Sequence, residues 1–257
     1  MSKLLFSLSI FLNSLNFPFN FKSVENKKNY PLYGVRYIYD IYWGLVKVGN
    51  ASIEIKDVVE ISKNRYAYVI YSVATSSSFI DRIFKVRDIN IGYLDVNMER
   101  SYGYFKDIKE GKYLFTEYNY FDYENSTYTA KKIKNDKETI YTGNLDGNYF
   151  DVLSSLFFYS QNSKEILPKK EIKVLTTKKW ELEVINHGIV TVKLEDKKIR
   201  AYKVEPKVGD EGIFISKKGK SLYVYISKDD RIPIMLEAEV FLGSVVAKLV
   251  KIERWLV

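Results

Sequence analysis

Apolar and polar residues alternate along most of this chain, which is the pattern of half-buried β-strands. The first two alternating segments, 35–42 and 51–55, predict a pair of strands joined near Lys47 to Gly49. Proline cannot donate a hydrogen bond to a sheet, so Pro233 should mark an edge, a strand start or a bulge. Further strands are predicted over 65–74, 84–96, 101–108, 113–121, 127–133, 199–204, 222–227, 232–242 and 245–252.

The clearest hairpin signal lies in the C-terminal half of the chain. Two alternating runs, 180–184 and 190–194, flank the short polar segment Asn186-His187-Gly188. A short loop with glycine between two alternating runs is typical of a tight β-hairpin. We therefore expect His187 at a hairpin tip, which is a poor position for a catalytic base.

Residues Asp151 to Gln161 are the one segment that predicts a helix. Asp151 is the expected N-cap, because its carboxylate can accept N–H bonds from the first turn. The apolar residues that follow recur at helical spacing and leave almost no polar face, so the helix should be buried. A buried helix among many strands predicts an all-β fold. We expect a strongly curved antiparallel sheet, either a barrel or a half-barrel, around one central helix.

The N-terminus predicts an export signal. Lys3 precedes an apolar run, Leu4 to Leu12, of the length found in signal peptides. No small-x-small cleavage site follows, so residues 1–22 are either a signal peptide or an uncleaved anchor. The polar residues 23–32 are interpreted as a linker, and residues 33–257 as a single β-rich domain. The predicted location is the periplasm or the cell envelope.

The composition limits the chemistry that an active site could use. The 257 residues contain one histidine and no cysteine. A zinc site would lack its usual ligands, and a thiol nucleophile or a disulfide would lack its cysteine. We therefore expect no metal, no cofactor and no catalytic residues. The net charge is +8, but no dense basic run occurs. Because an exported protein also rarely meets nucleic acid, we expect no nucleic-acid partner. The 22 tyrosines and 15 phenylalanines suit strand surfaces and favour the β prediction.

Three segments occur in an order that resembles a known family. These are 39–51, with its Trp-Gly and Gly-Asn-Ala pattern, the helix at 151–159, and the closing strands over 226–249. Together they resemble the domain-of-unknown-function family 3108 across residues 33–253. The resemblance implies a bacterial exported or envelope protein that is mainly β and has no established activity. Residues 109–148, which are rich in Lys and Tyr, match nothing in that pattern.

The leading hypothesis is a non-enzymatic envelope protein that binds a lipid or another apolar ligand inside the curved sheet. Membrane association is expected only through the N-terminal segment, if that segment is uncleaved. One alternative is a glycan-binding or glycan-hydrolysing protein with two carboxyls about 5 to 10 Å apart. Another is a structural or protein-interaction module that uses residues 109–148. The ligand-lining residues that we predict are Tyr42, Trp43, Leu153, Phe157 and Trp180.

Overall fold

The computed structural model describes residues 19, 21–161, 166–207, 221–240 and 243–255, where fifteen strands and one α-helix form. Most of the predicted export signal lies outside these residues. The helix is α1 (Val152–Gln161). The strands are β1 (Lys22–Ser23), β2 (Val35–Trp43), β3 (Val46–Ser62), β4 (Arg65–Ser76), β5 (Arg87–Asp95), β6 (Ser101–Glu110), β7 (Tyr113–Asp122), β8 (Thr127–Lys134), β9 (Lys137–Asn144), β10 (Lys169–Leu175), β11 (Lys179–Leu194), β12 (Lys197–Lys207), β13 (Leu222–Ser227), β14 (Pro233–Glu239) and β15 (Ser244–Arg254).

All fifteen strands belong to one antiparallel sheet. Its order is β10-β11-β12-β13-β14-β15-β2-β3-β4-β5-β6-β7-β8-β9, and β1 pairs beside this path with β3. Almost every strand pairs with its neighbour in the chain, and the long-range pair β15–β2 joins the C-terminal half to the N-terminal half. Strands β9 and β10 are the two edges, so the sheet does not close into a complete barrel.

The sheet curves around α1. Ile70 of β4 and Leu94 of β5 share one hydrophobic core with Val184 of β11 and Val224 of β13, and Phe157 of α1 lies in the same core with 2% exposure. Strands from both halves can contact one helix only if the sheet bends about it. The predicted all-β fold with a curved antiparallel sheet and a buried helix is therefore confirmed.

A second hydrophobic cluster covers the opposite face of β3–β7. Successive side chains of a strand point to opposite faces, so Val59 and Val69 face away from α1 while their chain neighbours face it. Phe19 and Phe21 cover this outer cluster. The ring of Phe19 stacks on Tyr93 with 5.1 Å between the ring centroids. The outer face of the sheet is thus buried by chain that precedes the first long strand.

The segment interpreted as a linker, 23–32, lies against the sheet. Ser23 in β1 pairs with Val59 of β3, and the N–H of Val24 donates to the carbonyl of Val58 at 2.9 Å. Tyr30 and Leu32 pack against the core around α1. These residues continue the folded structure rather than separating it from the N-terminus.

The hairpin tip predicted at Asn186-His187-Gly188 is wrong. Strand β11 runs unbroken through these residues, and its register against β12 shifts between Asn186 and Ile189. Gly188 has φ +94°, so the glycine serves a β-bulge and not a turn. His187 contacts the next strand, with its Nε2 2.8 Å from Glu205 Oε2.

The first strand pair is also joined differently from the prediction. β2 and β3 meet at a two-residue turn, Gly44-Leu45, and not near Lys47 to Gly49. Gly44 has φ +59°, a conformation that glycine adopts without a steric penalty. Pro233 is the first residue of β14, as predicted. No helix in the described part of the chain is long and apolar enough to cross a membrane.

Candidate functional site: an apolar cavity beside the helix

An apolar cavity lies between α1 and strands β11–β14. Its volume is about 90 Å³. The helix contributes Val152, Ser155, Leu156 and Tyr159, whose spacing of three and four residues places them on one helical face. The facing strands contribute mainly Val and Leu side chains. The cavity is thus the space left where the curved sheet and the helix do not fully meet.

The cavity wall offers almost no polar partner. The hydroxyl of Ser155 donates to the carbonyl of Val152 at 2.7 Å, so it is used within the helix. The hydroxyl of Tyr159 is buried and has no hydrogen-bond partner among the described residues. Burial raises the pKa of Tyr159 to about 12, so this hydroxyl keeps its proton at neutral pH. Such a wall suits alkyl groups and excludes charged ones.

The start of α1 is fixed by Asp151, which we predicted as the N-cap. Its carboxylate accepts the backbone N–H groups of Leu153 and Ser154, each at 2.8 Å, and the hydroxyl of Ser154 also donates to it. The backbone N–H of Asp151 donates to the hydroxyl of Ser101 in β6 at 3.0 Å. These bonds hold the helix, and with it one wall of the cavity, at a defined place on the sheet.

Gly92 of β5 lets the helix approach the sheet this closely. A Cβ at this position would lie 3.0 Å from both Asp151 Oδ1 and Ser154 Oγ. Burial raises the pKa of Asp151 to about 6, although the hydrogen bonds from Ser154 and its neighbours oppose that shift. The buried carboxylate of Asp151 therefore packs directly against the backbone of β5 at Gly92.

The five predicted ligand-lining residues do not come together in one site. Leu153 lines the cavity. Phe157 belongs to the solid core, and Trp180 packs against that core at the start of β11. Tyr42 and Trp43 lie at the end of β2, where Trp43 is 49% exposed. The four predicted aromatic residues thus lie in the packed core or at the surface, while the cavity is lined mainly by smaller aliphatic residues.

Sequence reasoning missed the strand side of the cavity. Leu182 and Val184 of β11, Val204 of β12 and Val224 of β13 all line it. Each lies at an apolar position of an alternating run, and this alternation is the sequence feature that could have indicated them. Alternation identifies the buried face of a strand, but it does not tell a filled interior from one that leaves a space.

A second, polar cavity of about 430 Å³ lies at the ends of the β3–β4 and β5–β6 hairpins. Tyr30, Arg65 and Arg100 contribute to its lining. The carboxylate of Asp95 accepts the hydroxyl of Tyr102 at 2.6 Å and the N–H of Asn97 at 2.7 Å. Its hydrogen-bonding capacity is therefore largely used within the fold, which does not favour it as a glycosidase carboxylate.

The Lys- and Tyr-rich region 109–148 contains strands β7–β9, which form one edge of the same sheet. Tyr118 is fully buried there, and Tyr113, Tyr120 and Tyr128 are half-buried. The tyrosines of this region therefore serve mainly as packing of the sheet.

Comparisons with known proteins agree on the fold and leave the activity open. A family model described as a protein of unknown function, DUF3108, matches residues 38–250. The fold is similar to the crystal structure of a β-barrel-like protein of the domain of unknown function DUF1849 from Brucella abortus, with a TM-score of 0.53 and 11% identity. The similarity covers 87% of this chain and 98% of that one. No curated protein matches the sequence.

Proposed function

This chain belongs to the DUF3108 family of proteins of unknown function, and on that premise we propose that it is an exported envelope protein without enzymatic activity that binds an alkyl chain beside α1. The observation that carries the proposal is the apolar cavity between the helix and the curved sheet. The ligand class is a lipid or another molecule with an unbranched apolar segment.

The size of the cavity sets what it can hold. A water-sized group needs about 10–15 Å³ of such space, so the cavity volume of about 90 Å³ admits several non-hydrogen atoms. Each methylene that moves from water to an apolar wall is stabilised by about 0.8 kcal/mol. The cavity therefore favours the end of one alkyl chain, while the rest of the ligand stays outside.

We expect Ser155→Leu to weaken alkyl binding about tenfold or more. The leucine side chain would project from the cavity face of α1 into the space that the ligand needs, and leucine favours a helix more than serine does. The measurement is fluorescence titration of the full chain with the fluorescent unbranched fatty acid cis-parinaric acid as the dye, followed by displacement with oleate. Wild-type protein should bind the dye saturably and release it when oleate is added. Ser155→Leu should bind the dye about tenfold more weakly, which corresponds to the loss of about two buried methylenes.

Two matched variants make this test specific. Leu156→Ala enlarges the same cavity and should retain dye binding, while Thr142→Leu adds a leucine to the exposed strand β9 and should behave like wild type. Binding that is not saturable in wild type, or equal affinities of wild type and Ser155→Leu, would show that the cavity does not hold the ligand.

We also propose that export removes the N-terminal segment ahead of Phe19. Phe19 is 5% exposed and packs between Tyr93 and the backbone of Gly103, so a mature chain without it would expose the outer cluster. Mass spectrometry of the protein from a periplasmic fraction should find a mature chain that still contains Phe19 and Phe21. A mature N-terminus beyond Phe21 would contradict this boundary, and recovery only from the cytoplasm would contradict export.

A further inference from the structure

Exposed apolar side chains concentrate in two loops of the sheet. Within the described residues, fourteen large hydrophobic side chains are exposed, and six of them belong to residues 43–46 and 79–84. We call these two segments the apolar tips. Leu45 is 100% exposed, Ile83 is 77% exposed and Phe79 is 66% exposed. Trp43, Val46 and Phe84 are about half exposed. Clusters of this kind on a folded protein mark a surface that meets a partner.

The two apolar tips project from the same end of neighbouring strands. Residues 43–46 form the β2–β3 turn, and residues 79–84 follow the end of β4. Gly49 of β3 pairs with Ser76 of β4, and the N–H of Ser77 donates to the carbonyl of Val48 at 2.8 Å. The apolar tips therefore lie at the same end of two adjacent strands.

The second apolar tip is held in place by polar contacts at its base. The guanidinium of Arg87 pairs with Asp81, with 3.0 Å between Arg87 Nη1 and Asp81 Oδ1. The hydroxyl of Ser76 donates to Asp81, and the N–H of Val86 donates to Ser76 Oγ at 2.8 Å. These contacts fix the base of the loop, and the side chains of Phe79 and Ile83 are exposed to solvent.

The charge around the apolar tips is positive. Arg82, Lys85 and Lys112 are exposed, and within the described residues they form no ion pair. The ring of Phe84 lies against Gly111, which places the β6–β7 turn and its Lys112 beside the tip. The carboxylates of Asp81, Asp40 and Asp107 form salt bridges with Arg87, Lys47 and Lys109, respectively. Glu110 retains one negative charge beside Asp88, so the three unpaired cations still leave the surroundings of the apolar tips positive.

We propose that the apolar tips dock this protein on an anionic lipid bilayer. Leu45, Phe79 and Ile83 would enter the interface between headgroups and acyl chains, and Trp43 would lie at headgroup depth, where tryptophan is enriched. The exposed cations would face anionic headgroups, which attract lysine and arginine. The proposal does not depend on a ligand in the cavity beside α1. It gives the protein a membrane contact that does not require the segment ahead of Phe19.

The absence of cysteine from the chain allows a direct test. Leu45→Cys introduces a single thiol at a fully exposed site, which can carry the environment-sensitive dye NBD without disturbing the fold. Ile140→Cys gives a matched probe at an exposed position of strand β9, away from both tips. Each labelled full chain is mixed with phosphatidylcholine vesicles that contain or lack phosphatidylglycerol, and the NBD emission is recorded.

We expect the probe at position 45 to brighten and shift to the blue with phosphatidylglycerol vesicles, and the probe at 140 to stay unchanged. Combining Arg82→Gln, Lys85→Gln and Lys112→Gln should weaken this response roughly tenfold or more, since each cation contributes to the attraction. Phe79→Ser with Ile83→Ser should also weaken it about tenfold. A chain that sediments with vesicles while its probe at 45 stays unchanged is held by its N-terminus alone, and that result, or an equal response at 45 and 140, overturns the proposal.

Discussion

Replacing Asp151 with alanine is expected to lower the free energy of unfolding by about 3 kcal/mol at pH 7. The carboxylate accepts the N–H groups of Leu153 and Ser154 and the hydroxyl of Ser154, all of them buried. Alanine would leave these donors without a partner in a site that water does not reach. Urea unfolding followed by circular dichroism measures the change, and stability equal to that of wild type would contradict this role.

Asp151→Asn separates the hydrogen bonds from the charge. Asparagine is as good an N-cap as aspartate, and its amide oxygen can accept the same backbone donors. The variant should therefore unfold at a urea concentration near or above that of wild type at pH 7. If asparagine were as destabilising as alanine, the charge and not the capping oxygen would hold the helix.

The same pair of proteins should differ in pH dependence. Burial raises the pKa of Asp151 to about 6 in the folded protein, whereas the pKa of an aspartate in the unfolded chain is about 3.9. The folded state then binds the proton more tightly, so this group stabilises the fold below about pH 4 and loses that contribution as the pH rises through 6. As the pH rises from 4 to 7, the free energy of unfolding of Asp151→Asn should therefore increase relative to that of wild type, by up to about 3 kcal/mol.

The sequence predicted those parts of the fold that depend on local pattern. The helix at 151–161 was readable because a capping aspartate precedes an apolar run, and the strands were readable from their alternation. The bulge at Gly188 was not, because a glycine beside polar residues looks the same in a turn and in a bulge. Only the pairing with β12 distinguishes the two, and that pairing depends on the tertiary fold.

The candidate site was less accessible to sequence reasoning. Trp43 and Trp180 were predicted to line the ligand site, yet the cavity depends on how closely α1 approaches each part of the sheet. Gly92 determines that approach on one side, where its missing side chain admits Asp151. A glycine within an apolar strand does indicate a close backbone approach, but the sequence does not reveal which element approaches.

Replacing Phe19 with alanine is expected to lower the free energy of unfolding by about 3 kcal/mol, the usual scale for a buried phenylalanine. Its ring stacks on Tyr93 and contacts the rings of Phe21 and Tyr120 edge-on, and together these rings cover the outer face of the sheet. Urea unfolding of the full chain measures the loss. Phe79→Ala is the matched control, because Phe79 is exposed and its replacement should change stability by less than about 0.5 kcal/mol.

Gly103 should show whether Phe19 acts through the contact seen here. A Cβ on Gly103 would lie 2.2 Å from Phe19 Cε1 and 2.9 Å from the backbone carbonyl oxygen of Asn119, so Gly103→Ala must displace the ring and shift the strand slightly. Gly103 is not among the glycines with left-handed backbone, so these two contacts account for most of the effect, and the shorter one is to the ring. If the alanine displaces the ring, Phe19→Ala adds little to it, and the two single losses should exceed the loss of the double variant by about 2 kcal/mol. Additive losses would mean that Phe19 does not pack on Gly103 and that its contribution comes from the rings of Tyr93, Phe21 and Tyr120 alone.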